Sequence, residues 1–240
     1  MSTATNKQPA IEYSGLLERT LQGCEAARSA AAAIVEAISK ATPEALDRTK
    51  QREEDLDALD REINEGVTAS IVGVRPEQAR ELLACLKLII ELERIGDLLL
   101  GIANRLRECS SRIDPQDKKD LSTMARLLDR MLTVAENSYS KRDPKLAVSV
   151  LRADTELDRL RNLLLVRHIE HPEGAARQES FHVVFMAQSV ERAGDHAKNI
   201  AEEVVHLVTG RSVRHLLRTS DMPFENMFVE FMKKKENKKR

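Results

Sequence analysis

The sequence predicts an all-α protein that contains two pseudo-symmetric three-helix bundles and a short C-terminal helix. Only 9 glycines and 7 prolines occur among the 240 residues, and aromatic residues make up 3% of the chain. Apolar residues recur at spacings of three and four, which is typical of helices, and alternating strand patterns are absent. The segment Glu93–Asp97 recurs as Glu191–Asp195, and the same shift of 98 residues holds without insertions on both sides of it. Such a constant shift indicates a duplicated structural unit.

Prolines and capping residues divide the chain into six predicted helices. A proline follows Thr42, Asp114 and Asp143, and each of these residues suits an N-cap because its side-chain oxygen can accept a backbone N–H. Gly210 suits the end of the last helix. Short connections predict that neighbouring helices run antiparallel. The predicted helices are 11–41, 44–72, 77–111, 115–141, 145–170 and 174–209.

The repeat groups these helices into two predicted domains, 10–112 and 114–210, each with the acidic motif on its third helix. Residues 211–240 lie outside the repeat and end in a run of basic residues. This extension suits packing on the protein's own bundle, or contact with a partner or an anionic membrane surface. Large apolar side chains recur in it at helical spacing: Phe224, Met227, Phe228, Phe231 and Met232.

Composition favours a soluble cytoplasmic protein. The net charge of −1 gives no overall positive field, so we expect no nucleic acid partner. Cys24, Cys85 and Cys109 lie far apart and form no C-x-x-C pair, which argues against a disulfide framework or a zinc knuckle. The polar N-terminus lacks the apolar run of a secretory signal, and no apolar stretch approaches the length of a membrane span.

The repeated motif places pairs of carboxylates on one helix face. Residues four apart share a face, so Glu93 and Asp97 point the same way. The second copy repeats this arrangement with Glu191 and Asp195. Further oxygen ligands are expected from the second helix of each repeat and from the continuation of the stripe: Asp60, Asp158, Asn199 and Glu202.

These acidic stripes predict a metal site in each repeat. Carboxylates that lie close together repel one another unless one is protonated or a cation compensates them. Oxygen ligands without thiolates suit magnesium, manganese or iron, and zinc also binds such ligands, so we expect a divalent or trivalent metal. Gly96 and Gly194 have a helix-propensity cost of about 1 kcal/mol each, which indicates close approach of another backbone or a ligand. Ordinary salt bridges from Arg94 and Arg192 are the alternative.

The segments from Glu191 to Glu202 and from Glu93 to Ala103 resemble the repeat signatures of the PhoU family of phosphate-transport accessory and regulatory proteins. The resemblance covers about 10–215. It implies metal motifs in both bundles, a homodimer and a non-enzymatic role. In that role the protein links the ATPase subunit of a phosphate ABC transporter to a membrane sensor histidine kinase, as a negative regulator of phosphate uptake. Gly101 stands where the family has an amide, so we expect a weaker first site.

Two other functions are compatible with the sequence. A ferritin-like di-metal carboxylate enzyme needs E-x-x-H pairs, and the chain has Glu179/His182 and Glu203/His206. These pairs are separated by about 36 Å on one predicted helix and are not repeated in the first copy, which argues against a shared metal pair. The other alternative is a metal-free helical scaffold whose acidic residues are solvated.

Overall fold

All the regular structure that the computed structural model describes is helical, which confirms the predicted fold class. The described residues are 13–40, 42–170 and 177–210, so the helix predicted within 211–240 lies outside them. Where both ends of a predicted helix are described, they agree with the structure within two residues. The helices are α1 (Tyr13–Lys40), α2 (Pro43–Ser70), α3 (Pro76–Cys109), α4 (Pro115–Lys141), α5 (Pro144–Glu170) and α6 (Arg177–Thr209), with a short 3-10 helix (Ser110–Arg112) after α3.

The predicted capping residues fix the starts of three helices. Thr42 accepts a hydrogen bond from the backbone N–H three residues on, at 3.4 Å. Asp114 and Asp143 accept from the N–H two residues on, at 2.7 and 2.9 Å. Arg142 adopts the left-handed conformation with φ of 52°, which ends α4 and turns the chain directly into α5. The starts of these three helices therefore follow from capping residues predicted from the sequence, whereas the left-handed Arg142 was not predicted.

The six helices form two three-helix bundles, α1–α3 and α4–α6, which pack side by side. Within each bundle every helix contacts the other two, and between bundles α3 lies against α6 and α1 against α4. One continuous cluster of buried apolar residues runs through all six helices. The third helices of the two repeats therefore meet at the centre of the molecule.

Helices α3 and α6 run antiparallel along this central contact. The Arg105 guanidinium, near the end of α3, stacks over the Phe185 ring near the start of α6, 4.7 Å from its centroid. Lys87, near the start of α3, donates to the carboxylate of Glu203 near the end of α6, at 3.0 Å. These contacts fix how the two acidic motifs are held relative to each other.

The glycines of the two motifs allow close helix packing. A Cβ atom on Gly96 would lie 2.8 Å from Leu56 Cδ1 and 3.7 Å from the Cα of Glu53, so α2 packs directly against this position of α3. Gly194 meets Leu157 of α5 in the same way, at closer range still. The close approach predicted from the sequence is therefore made in both repeats by the second helix.

We expect Gly194→Ala to destabilise the protein and Gly101→Ala to stabilise it. Gly101 is exposed, and a Cβ atom added there would meet no other atom, so alanine should raise the free energy of unfolding by about 0.5–1 kcal/mol. At Gly194 alanine should instead lower the free energy of unfolding by about 1 kcal/mol, because overpacking against Leu157 outweighs the gain in helix propensity. Urea unfolding followed by circular dichroism measures both. Equal stabilisation by the two substitutions would contradict the packing.

Candidate functional site

The structure brings five carboxylates of the first bundle together on neighbouring faces of α2 and α3. Burial raises the pKa of Glu93, and the nearby charges of Asp97, Asp60 and Asp57 raise it further. Burial also raises the pKa of Glu53, again with help from Asp57 and Asp97. Mutual repulsion of this kind requires that the charges lie close to one another. We call these residues the first acidic cluster: Glu53, Asp57, Asp60, Glu93 and Asp97.

The first acidic cluster has little compensation from basic side chains. Arg61 lies 4.0 Å from Asp57, and its side chain is 68% exposed, so this pair contributes little. Arg94 is exposed. Its charge lowers the pKa of Glu93, but burial and the neighbouring carboxylates raise that pKa by more. Among the described residues, Glu53 and Glu93 have no ion pair within 4.0 Å. A cation from solution would remove the repulsion.

The second bundle gathers an equivalent set of carboxylates between α5 and α6. Glu191 is buried, and burial raises its pKa, as do the nearby Asp195 and Asp158. Burial likewise raises the pKa of Asp154, with further contributions from Asp195 and Asp158. The residues of this second acidic cluster are Asp154, Asp158, Glu191, Asp195 and Glu202.

Two basic side chains reach into the second acidic cluster. Arg161 of α5 donates to Glu191 at 2.9 Å and lies 4.0 Å from Asp158. Lys198 of α6 donates to Asp154 at 2.5 Å. Burial alone would lower the pKa of Lys198, but its hydrogen bond to Asp154 and the charge of that carboxylate raise it overall. The second repeat therefore supplies its own cations.

These cations have no counterpart in the first repeat, although the two sets of helices are duplicated. At the shift of 98 residues, Arg161 corresponds to Ile63 and Lys198 to Leu100. Sequence reasoning missed both because it searched the repeats for oxygen ligands and did not ask which basic residues would face them. The comparison of the two copies at a shift of 98 residues contains the signal for both residues, because one copy is charged at these positions and the other is apolar.

Arg94 and Arg192, proposed from the sequence as alternative partners of the motif acids, do not fill that role. Both side chains are exposed. Within the described part of the chain, neither forms an ion pair with a carboxylate of its own motif. In the second repeat this role belongs to Arg161 and Lys198 instead.

Asn199 lies outside the second acidic cluster, which corrects its predicted place in the stripe. Its amide donates to Glu91 of α3 at 3.1 Å, and the ring of His196 lies 2.6 Å from the same carboxylate. Burial would raise the pKa of Glu91, but these two contacts lower it overall. At about 100° per residue, Asn199 is turned about 80° from Glu191, whereas Lys198 is turned only about 20°. Asn199 therefore serves the contact between the bundles.

The position of Asn199 also matters for the expectation that the first site is weaker because Gly101 replaces an amide. Gly101 corresponds to Asn199, and Asn199 faces the neighbouring bundle rather than the carboxylates. Gly101 is exposed on α3 with no neighbouring atom where a Cβ would lie. On this geometry an amide at position 101 is not expected to be a ligand of the first acidic cluster, and the weaker first site stays a prediction.

The two clusters differ in how well they fit a metal ion. Among the described residues, no group of three or more His, Cys, Asp or Glu side chains already converges on a point that could hold an ion. The first acidic cluster offers carboxylate oxygens free of strong basic partners, and such oxygens are the ligands that oxygen-preferring cations take. In the second acidic cluster Arg161 and Lys198 hold these oxygens, so a metal would have to displace them.

The E-x-x-H pairs are engaged in contacts between the bundles. Arg112 donates to Glu179 at 2.5 Å, and Lys87 binds Glu203. Both pairs lie on α6, as the sequence predicted. A ferritin-like di-metal site needs such pairs on two facing helices, and this arrangement does not provide them.

Within the described ranges, no helix is long and apolar enough to cross a membrane.

We expect Glu53→Gln/Glu93→Gln to stabilise the metal-free protein at pH 7. Because the folded state raises the pKa of both groups, it disfavours their charged forms. The stability that they contribute when protonated is lost as the pH rises through the raised pKa values. Removing both charges should add about 0.5 kcal/mol each to the free energy of unfolding at pH 7.

Urea titrations with chelator present measure this gain, and Glu65→Gln on the exposed side of α2 is the matched control. Below the ordinary pKa of 4.5, wild type is also protonated at both positions, so the difference between it and the double variant should vanish. A gain that persists unchanged at that pH would contradict electrostatic repulsion as its cause.

Comparison with known proteins agrees with this fold and this duplication. The PhoU domain family model matches the chain twice, at residues 21–106 and 121–204. A phosphate-specific transport system accessory protein PhoU homolog from Zymomonas mobilis is 30% identical over 194 residues, which cover 78% of this chain and 81% of that protein. The corresponding homolog from Pseudomonas putida is 30% identical over 190 residues, covering 76% of this chain and 73% of that protein.

Solved structures show the same architecture. The crystal structure of PhoU from Pseudomonas aeruginosa has a TM-score of 0.75 and 24% identity, and the match covers 82% of this chain and 96% of that one. The phosphate transport system regulatory protein PhoU from Streptococcus pneumoniae also has a TM-score of 0.75, with 19% identity and coverage of 86% and 99%. The two matched domains span most of this chain, and it belongs to the PhoU family.

Proposed function

We propose that this protein is a regulator of phosphate uptake that acts on components of a phosphate transport system and carries out no chemical reaction itself. The observation that carries this proposal is the double match to the PhoU domain over a duplicated six-helix fold. Related proteins of similar length are named as accessory proteins of phosphate-specific transport systems. An accessory role requires contact with other components of such a system.

The proposed partners are the ATPase subunit of a phosphate ABC transporter and a membrane sensor histidine kinase. The protein would act between them as a negative regulator when phosphate is plentiful. This role places it in the cytoplasm, where such ATPase subunits lie, and a homodimer is the proposed assembly. The extension 211–240, with its basic end, is the proposed place of any peripheral membrane contact.

The proposed metal ligands are the residues of the first acidic cluster. Glu93 and Asp97 of α3 would hold the ion together with Asp60, Asp57 and Glu53 of α2. A bound iron, manganese, zinc or magnesium ion would supply positive charge and link the two helices. The repulsion that raises the pKa of Glu93 supports this proposal, because a cation relieves it.

Equivalent ligands in the second repeat are Glu191, Asp195, Asp158 and Glu202. Their use requires that Arg161 give up its hydrogen bond to Glu191. Asn199, which binds Glu91, is the weakest candidate of the predicted set. We therefore place the regulatory metal in the first acidic cluster.

A metal-free adaptor is the second candidate function. The ion pairs Arg161–Glu191 and Lys198–Asp154 support it, because they place basic side chains beside the carboxylates of one repeat. Such an adaptor would bind the same partners through fixed surface charges. Its activity would be independent of the residues of the first acidic cluster.

Deletion of the gene, followed by complementation, tests the proposed function. The deletion should raise phosphate uptake and expression of phosphate-starvation genes in cells grown with ample phosphate, and wild type should restore both. Glu93→Gln/Asp97→Asn should fail to restore them, because it removes two proposed ligands and negative charge from α3. Glu65→Gln is the matched control, since it removes an exposed charge of α2.

The two parts of the proposal fail separately in this experiment. Unchanged uptake and gene expression in the deletion strain would contradict the role in phosphate regulation. Full complementation by the Glu93→Gln/Asp97→Asn protein at wild-type abundance would instead favour the metal-free adaptor.

A further inference from the structure

We infer that the two repeats are not equivalent, because Arg161 and Lys198 take the place of a metal ion in the second acidic cluster. This inference rests on the proposed metal site of the first repeat and limits the chain to one cation-dependent cluster. It does not follow from the motif itself, since both copies contain Glu-x-x-x-Asp. It follows from the basic side chains that surround the second copy of the motif.

The two cations cross the space between α5 and α6 in opposite directions. Arg161 extends from α5 to Glu191 of α6, with a separation of 2.9 Å between Nη2 and Oε1. Lys198 extends from α6 to Asp154 of α5, with 2.5 Å between Nζ and Oδ2. Together they join the two helices through carboxylates on both sides, which is the structural role of a bridging ion.

Burial makes these contacts necessary. Asp154 is 6% exposed and Glu191 is 8% exposed. A buried carboxylate without a partner is strongly unfavourable, so a positive charge beside each of them stabilises the fold. A metal that entered the cluster would have to displace Arg161 and Lys198 and leave their charges without these anions.

The duplication provides an internal comparison. In the first repeat, apolar Ile63 and Leu100 stand at the positions of Arg161 and Lys198, and Leu56 stands at that of Asp154. Ile63 and Leu56 belong to the buried core. The first repeat therefore has the acidic motif without the built-in cations, and its carboxylates remain available to an ion from solution.

Binding of Mn²⁺ to the full-length, metal-stripped protein, measured by isothermal titration calorimetry, tests this inference. Glu93→Gln/Asp97→Asn should weaken binding about tenfold or more, equivalent to at least about 1.4 kcal/mol. Glu191→Gln/Asp195→Asn, the matched pair in the other repeat, should leave the affinity and the number of sites unchanged. Equal losses in both variants would overturn the inference, because the second repeat would then bind metal as well.

A second variant tests the role of the cations directly. Arg161→Ile/Lys198→Leu introduces the first-repeat residues into the second repeat and leaves its carboxylates uncompensated. Without metal, this variant should have a lower Tm than wild type, and Mn²⁺ should raise its Tm by more than it raises that of wild type. Lys198→Leu alone, which keeps the Arg161–Glu191 pair, serves if the double variant does not fold.

The outcomes distinguish failure of this inference from failure of the proposed metal site in the first repeat. A wild-type protein that binds no Mn²⁺ contradicts the metal site of the first repeat. The Arg161→Ile/Lys198→Leu variant still decides the inference in that case, because a new Mn²⁺ response supports replacement of a metal by the two side chains. No added response to Mn²⁺ in the variant would overturn the inference, whatever wild type binds.

Discussion

Compensation of carboxylate charge between two packed helices is the constraint on which the site depends. Each repeat places acidic side chains where its second helix closes on the glycine of its third helix, and this burial raises the pKa of Glu93 and Glu191 alike. Carboxylates that lie close together repel one another, and positive charge beside them lowers this repulsion. The second repeat obtains it from Arg161 and Lys198. The first repeat has apolar Ile63 and Leu100 at the equivalent positions.

The same divergence extends to the contact between the bundles. Glu91 binds His196 and Asn199 across the α3–α6 contact. In a fully symmetric pair of repeats the contact would occur twice, but Ser189 and Gly101 stand at the equivalent positions of Glu91 and Asn199. This particular contact therefore occurs once, although other ion pairs, such as Arg112–Glu179, also join the bundles. The two halves of the duplicated fold therefore differ at this contact.

Local signals in the sequence were sufficient for the fold and for part of the site. Prolines and capping residues such as Asp114 fix helix boundaries through contacts with residues close in sequence. The motif glycines predict that another helix packs closely against them, without indicating which helix. The side-chain partners of the carboxylates depend on helix rotation and on contacts between distant residues. A small error in the assumed rotation of α6 placed Asn199 beside the carboxylates, where the structure has Lys198. Arg161 was missed because the comparison of the repeats followed acidic and amide residues and not basic ones.

Anomalous diffraction from crystals soaked in Mn²⁺, recorded at the manganese absorption edge, tests the central claim most directly. We expect an anomalous peak beside Glu93 and Asp97 and no peak beside Glu191 and Asp195. Arg161 should then still contact Glu191 in the same crystals. A peak in the second acidic cluster, with Arg161 and Lys198 turned away from it, would contradict the claim that these two side chains replace a metal ion.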